Sequence, residues 1–389
     1  MDNVSNPYTP GAGSMPVALV GRDAILEDAR VLLERTRRGR VSKSMIMVGL
    51  RGVGKTVLLN KIEELAKERQ FRTLSIEATE GESLAATLAP KLRKLLLALN
   101  RMEGVGEKVR KGLIALRNFV GTVKVTCSDF GLELEPMPGV ADSGNIEMDL
   151  TELFLLTADA AAEKGYGVAL LIDEIQLLND EDLGALIMAM HKVQQRQAPL
   201  VLIAAGLPTI PGLAGEAKSY AERLFAYPRV GKLMQDDAHA ALREPAAQEG
   251  VIFDEDALDY VYTQTQGYPY FLQEWGDHVW EIASNQVITL RDAQMATTEV
   301  LQTLDESFFR VRYDRLTEAE RRFLRAMAEL GGDTCRSGAV ASYLQVKPTA
   351  ITTVRASLIS KGMIYSPAYG VLDFSVPMFG DFLKREIPR

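Results

Sequence analysis

The sequence predicts an α/β fold: a parallel β-sheet with helices on both faces, followed by an all-α segment and then a winged-helix module. Three observations carry this. Short apolar runs without charge, Met45 to Val48, Val168 to Ile172 and Leu200 to Ala205, alternate with helical patterns. Strands buried on both faces belong to parallel sheets covered by helices. From Asp236 to Arg310 the strand pattern vanishes, and segments 237–249, 254–266, 269–284 and 291–310 read as helices. From Arg315 onward, three helical segments precede two short strands around Pro367-Ala368-Tyr369-Gly370, which is the winged-helix order.

At 389 residues and 47% hydrophobic content, the chain exceeds one ordinary domain and can fill real cores. No apolar run approaches the length of a membrane span, so no membrane partner is expected. Met1 to Pro16 is polar and rich in Pro and Gly, unlike a signal peptide. Cys127 and Cys335 are the only cysteines, which suits a reducing, cytoplasmic location. His191, His239 and His278 form no ligand pattern. The net charge of −8 argues against a chain that binds nucleic acid over its whole surface. Eleven Lys and Arg against seven Asp and Glu give +4 from Arg315 onward, leaving −12 for the rest. That asymmetry points to an anionic partner for the C-terminal part.

The elements divide the chain into an irregular arm (1–18), a first domain (19–235), a helical domain (236–312) and a winged helix (313–389). In the first domain, Asp23 is expected to cap a helix striped with Ile25, Leu26, Ala29, Leu32 and Leu33. Arg72 to Glu77 reads as a strand. Residues 81–145 read as an insertion with two helices and a β-hairpin around Ser128-Asp129. Arg229 to Leu233 is expected to be the last strand. In the winged helix, Thr317 and Glu320 form a capping box and Pro348 opens the third helix. That helix would offer Thr349, Thr352, Thr353, Arg355 and Lys361 outward. The wing carries Tyr365 and Tyr369 but no Lys or Arg.

The chemistry concentrates at Gly49-Leu50-Arg51-Gly52-Val53-Gly54-Lys55-Thr56, which fits G-x-x-x-x-G-K-[ST], the phosphate-binding P-loop. An apolar run precedes it and a helical pattern with Val57, Leu58 and Ile62 follows. Glycines let successive backbone N–H groups turn inward onto phosphate oxygens, and the helix N-terminus faces the same anion. Lys55 can reach the β- and γ-phosphates, and the Thr56 hydroxyl can ligate Mg²⁺. The apolar run to Ile172 ends in Asp173-Glu174, two acids whose burial is costly without a use. Downstream of a P-loop they read as the Mg²⁺ carboxylate and the general base for an attacking water. The implied cofactors are ATP, with ADP as product, and Mg²⁺.

With Val20-Gly21-Arg22-Asp23, Leu171-Ile172-Asp173-Glu174, Gly206-Leu207-Pro208 and Gly267-Tyr268-Pro269, the chain resembles the AAA+ and STAND branch of P-loop NTPases, and within it the initiator-like, origin-recognition-like group. The resemblance spans roughly 17–389. It implies a P-loop NTPase sheet, an all-α lid and a winged-helix domain. It implies that Val20, Gly21 and Arg22 lie near the adenine, that Pro269 contacts the nucleotide, and that Arg223 is an arginine finger serving a neighbouring copy, hence a homo-oligomer. Two departures stand out. The polar sensor residue usual at the end of the fourth strand is replaced by Ala204-Ala205-Gly206, and the lid arginine by Gly267-Tyr268-Pro269-Tyr270. With less positive charge for the transition state, tight binding and slow hydrolysis are expected. Two outputs fit: duplex DNA bound through residues 347–375, or a STAND-like signalling ATPase whose winged helix contacts a protein partner.

Overall fold

The computed structural model describes residues 1–11, 13–100, 106–122, 138–331 and 335–386. The chain divides into two units, Arg22–Gly49 with Lys55–Val230, and Met1–Gly21 with Leu50–Gly54 and Gly231–Arg389.

The first unit holds the sheet. α1 (Asp23–Arg37) leads to β1 (Ser44–Val48), in which every residue is buried. α2 (Lys55–Glu68), β2 (Phe71–Glu77), α3 (Leu84–Asn100), α4 (Glu107–Thr122) and α5 (Ile146–Glu163) follow. Next come β3 (Gly167–Asp173), α6 (Asp180–Gln195), β4 (Leu200–Gly206), α7 (Ile210–Ala217), α8 (Ala221–Leu224) and β5 (Phe225–Ala226). The strands lie in the order β2-β3-β4-β1-β5, all parallel. β4 therefore separates β1 from β3, with Val48 opposite Gly206 and Ile172 opposite Ala204. β1, β3 and β4 are buried throughout, so polar chemistry is confined to their ends. α3, α4 and α5 share the core of the sheet through Leu92, Leu96, Phe119 and Phe154.

Three expectations change here. Arg22, not Asp23, holds the cap position of α1; Asp23 opens the first turn, where its charge suits the dipole. The last strand is Phe225–Ala226, beside Ser44 and Met45. Pro228 has no N–H to give the ladder, and beyond it only a bridge between Val48 and Arg229 remains. No helix was expected over Ile210–Ala217, where α7 forms. The hairpin around Ser128-Asp129, with Cys127, lies outside the described residues.

The second unit starts with the arm, which is anchored rather than loose. The Met1 ammonium donates to the Ala283 carbonyl at 2.9 Å and Asn6 to the Asp277 carboxylate at 2.6 Å. Tyr8 is buried, and its hydroxyl donates to the Leu242 carbonyl at 2.5 Å. Its ring fills the space a side chain at Gly276 would need. The helical part comprises α9 (Gln235–Gln248), β6 (Ile252–Phe253), α10 (Glu255–Thr265), α11 (Pro269–Ile282), β7 (Val287–Ile288) and α12 (Leu290–Thr303). A π-helical turn (Leu304–Phe309) and α13 (Arg310–Asp314) end it. The expected all-α character is interrupted: β6 and β7 pair in parallel. Two-residue strands are too short to leave a period in the sequence.

The C-terminal module runs α14 (Glu318–Leu330), β8 (Cys335–Arg336), α15 (Ser337–Tyr343), a 3-10 turn (Pro348–Ile351), α16 (Thr352–Ser360), β9 (Ile364–Tyr365), β10 (Val371–Phe374) and α17 (Phe379–Glu386). The strands form an antiparallel sheet in the order β8-β10-β9. Its core is continuous with that of the helical part. Phe309 stacks on Phe382 with centroids 5.4 Å apart, and Arg385 pairs with Asp305 at 2.7 Å.

The capping box forms: the Thr317 N–H donates to Glu320 at 2.7 Å and Thr317 caps α14. Lys361 does not stand free as expected. Its ammonium donates to Glu320 at 2.8 Å, and Ser357 donates to the same carboxylate at 2.7 Å. Burial opposes the charge on Glu320, but the bonds from Lys361, Ser357 and Thr317 outweigh it and hold the carboxyl at about 2. A carboxyl depressed from 4.5 in this way contributes stability that is fully present above its unfolded pKa and lost as pH falls toward the folded value. We expect the melting temperature of the wild type to drop as pH falls from about 4.5 to about 2. Glu320→Gln should melt lower at neutral pH and lose that part of the acid dependence.

Candidate nucleotide-binding site

β1 delivers the chain to Gly49, whose N–H donates to the Gly206 carbonyl at the end of β4, 3.1 Å away. The loop Leu50–Gly54 then turns with φ of +79° at Gly52 and +88° at Gly54. That left-handed backbone is open to glycine without strain. Val53 is buried and anchors the loop, Leu50 and Arg51 are half-buried, and the loop ends on the first turn of α2. There Lys55 is buried and Thr56 exposed, with Val57 half-buried. The first N–H groups of α2 have no partner within the helix, which makes this end an anion site.

The acidic side comes from β3. The Thr56 hydroxyl donates to Asp173 Oδ2 at 2.6 Å, and the Glu174 N–H donates to Asp173 Oδ1 at 2.9 Å. Asp173 is buried. Glu174 sits at φ 50°, ψ 38°, a left-handed conformation that costs a non-glycine residue energy. Its carboxylate accepts from the Gln176 amide. A hydroxyl beside one carboxylate fits Mg²⁺, which keeps waters and phosphate oxygens as its other ligands. The described residues hold no group of three or more His, Cys, Asp or Glu suited to a metal.

Thus Gly49, Lys55, Thr56, Asp173 and Glu174 lie at the carboxyl edge of the sheet. Arg223, on α8 of the same unit, is exposed and makes no ion pair with any described residue. Arg22 is buried at the start of α1.

In the second unit, Gly21 has φ +66°, and a Cβ there would meet the Asp237 carboxylate at 2.5 Å. Pro269 opens α11, and the next residue, Tyr270, donates its N–H to the Gly52 carbonyl at 3.2 Å. Tyr270 stacks on Phe308 at 4.8 Å, and the Arg312 guanidinium lies over that same Phe308 ring at 3.9 Å. Burial first, and the charge of Arg51 next, lower the Arg312 pKa to about 10. The Nε atoms of both arginines are buried with no hydrogen-bond partner among the described residues. Cations so placed favour an anion among them. Neither Gln176 nor Arg312 was singled out in the sequence. Gln176 had a signal, its place two residues beyond the acidic pair; Arg312 had none, because only the fold brings it beside Tyr270.

Residues 18–203 match the AAA ATPase domain family. The fold is that of a P-loop NTPase. Residues 306–383 match a domain of unknown function, DUF8462. No curated protein matches the chain. Among solved structures, the Walker-type ATPase PABY2304 of Pyrococcus abyssi is similar at a TM-score of 0.61 and 16% identity, over 94% of this chain and 96% of that one. The Orc1 protein of Aeropyrum pernix in complex with DNA matches at a TM-score of 0.47 and 15% identity, over 95% of this chain and 94% of its own. No helix among the described residues is long and apolar enough to cross a membrane.

Because no atom of the described residues lies within 4 Å of where a Cβ on Gly54 would sit, Gly54→Ala isolates backbone strain from crowding. At φ +88° the alanine costs about 1–2 kcal/mol, so ATP binding measured by titration should weaken by roughly tenfold.

Proposed function

We propose that the protein is an ATP-binding switch with slow, Mg²⁺-dependent hydrolysis. The observation that carries this reading is the 2.6 Å contact between the Thr56 hydroxyl and the Asp173 carboxylate. The loop amides of Leu50 to Gly54 and the Lys55 ammonium hold the phosphates. Thr56 and Asp173 hold Mg²⁺, which neutralises charge developing on the phosphoryl oxygens. Glu174 orients the attacking water and takes its proton. Val20, Gly21 and Arg22 flank the adenine, Pro269 lies against the nucleotide, and the exposed Arg223 serves a neighbouring copy.

Slow turnover is supported by what is missing from usual places. Tyr270 stands where a lid arginine is expected, and β4 ends in Ala205 and Gly206 without a polar side chain. Arg51 and Arg312 supply cationic charge, but Arg312 is tied down over Phe308. Such a site holds its nucleotide longer than it takes to bind it.

The C-terminal module reads as a winged helix and as the output of the switch. Its geometry favours contact with protein over contact with duplex DNA. Lys361 is neutralised by Glu320, Arg355 is half-buried, and the wing from Pro367 to Gly370 has no cation. The DNA reading, through residues 347–375, rests on exposed Lys347, Thr349, Thr352 and Thr353 and on the positive C-terminal charge.

Glu174→Gln should keep ATP affinity within about twofold while turnover falls about a hundredfold or more; unchanged turnover removes Glu174 from the role of base. In a mobility-shift titration with ATP and Mg²⁺, we expect no salt-sensitive shift of duplex DNA. A shift that weakens steeply with salt and is lost in Lys347→Glu restores the DNA reading.

A further inference from the structure

Two amide groups link the first glycine of the P-loop to the proposed base. The Gly49 N–H donates to the Gly206 carbonyl at 3.1 Å. That carbonyl belongs to the same peptide group as the Leu207 N–H, which donates to Gln176 Oε1 at 3.0 Å. The Gln176 carboxamide then donates from Nε2 to the Glu174 carboxylate. Each amide in the chain accepts on one side and donates on the other, so every bond polarises the next in the same sense. The chain begins where the loop meets phosphate and ends on the acid placed to activate water.

The surroundings are built for this. A Cβ on Gly206 would meet Gln176 Oε1 at 2.8 Å, Ile175 Cγ2 at 2.9 Å and Ile210 Cγ1 at 3.0 Å. Glycine at that position leaves room for the carboxamide. The polar group absent from the end of β4 is thus supplied by the segment after β3, which folds back over it. The left-handed backbone at Glu174 (φ 50°) makes the fold-back: the chain turns sharply there, so that two side chains two residues apart face one another. A strained conformation is retained where surrounding bonds over-determine it, and here those bonds are the Asp173 contact to the Glu174 N–H and the Gln176 contact to its carboxylate.

We propose that Gln176 is a positioning residue for ATP hydrolysis: it fixes the Glu174 carboxylate and couples it, through the Gly206–Leu207 peptide, to the P-loop. The inference rests on the ATPase reading above. Gln176 need not touch nucleotide, so its loss is expected in turnover and not in binding.

Two variants of the full chain separate positioning from mere packing. Gln176→Ala removes both bonds. Gln176→Glu keeps the size and the acceptor for Leu207, but replaces the donor to Glu174 by a repelling carboxylate. In steady-state hydrolysis of MgATP, both should lower kcat by about tenfold or more while ATP affinity from titration stays within about twofold. Added to Glu174→Gln, Gln176→Glu should change the residual turnover by less than twofold, because the group it positions is already gone. If Gln176→Glu turns over like the wild type, or if affinity falls in parallel with kcat, the positioning role is overturned although the ATPase reading stands. If Gln176→Ala turns over faster than the wild type, the bond is a brake and the proposal is wrong in sign. A wild type that binds no ATP overturns both readings.

Discussion

The hydrogen bond from Thr56 to Asp173, 2.6 Å long, reaches past an intervening strand. β4 lies between the strand that ends in the P-loop and the strand that ends in Asp173. The two side chains meet only because all three strands run parallel and stop at the same edge. Each of those strands is buried along its whole length, so none can carry a charge before its end. Burial thus sorts the sequence: apolar runs inside, then glycines, a lysine, a hydroxyl and two acids in a few residues at one rim. The loop glycines, the αL turn at Glu174 and the glycine at the end of β4 are all consequences of crowding that chemistry into so short an edge.

The second unit is held by a different kind of contact. Aromatic side chains from α11, the π-helical turn and α17 interlock around Phe271, Phe309 and Phe382, and the N-terminal arm is pinned to α9 and α11 by Asn6 and Tyr8. The C-terminal module therefore shares its apolar core with the helical part instead of hanging from a linker. Gly52 and Tyr270 join backbone to backbone within this unit. A module so attached transmits a shift of α11 through packed side chains, which are bistable rather than elastic, and that suits a switch.

Much of this was legible in the sequence where local physics dominates. The uncharged runs from Met45 and from Val168 declared buried strands, and Thr317 with Glu320 declared a helix start. The P-loop could be read because its glycines, lysine and threonine are contiguous. What escaped depended on contacts distant in sequence. β6 and β7 are too short to show a period and begin 35 residues apart. Lys361 looked like an outward cation because Glu320, which neutralises it, lies 41 residues away. The edge strand, expected at residues 229–233, forms before Pro228 at Phe225–Ala226, since proline has no N–H for the ladder. Gln176 carried only its place two residues beyond the acidic pair; the Leu207 N–H that it accepts from comes at the end of β4, 31 residues away.

The central claim is that one rim of the sheet holds a triphosphate and its metal together. The most direct measurement is calorimetric titration of the full chain with ATP in excess Mg²⁺ and again in excess chelator. The account predicts a saturable heat for one nucleotide per chain with Mg²⁺ present, and weaker binding without it, because the Thr56 and Asp173 oxygens then lack the ion that joins them to the phosphates. Absence of any heat with millimolar ATP and Mg²⁺, or affinity indifferent to the metal, would contradict it.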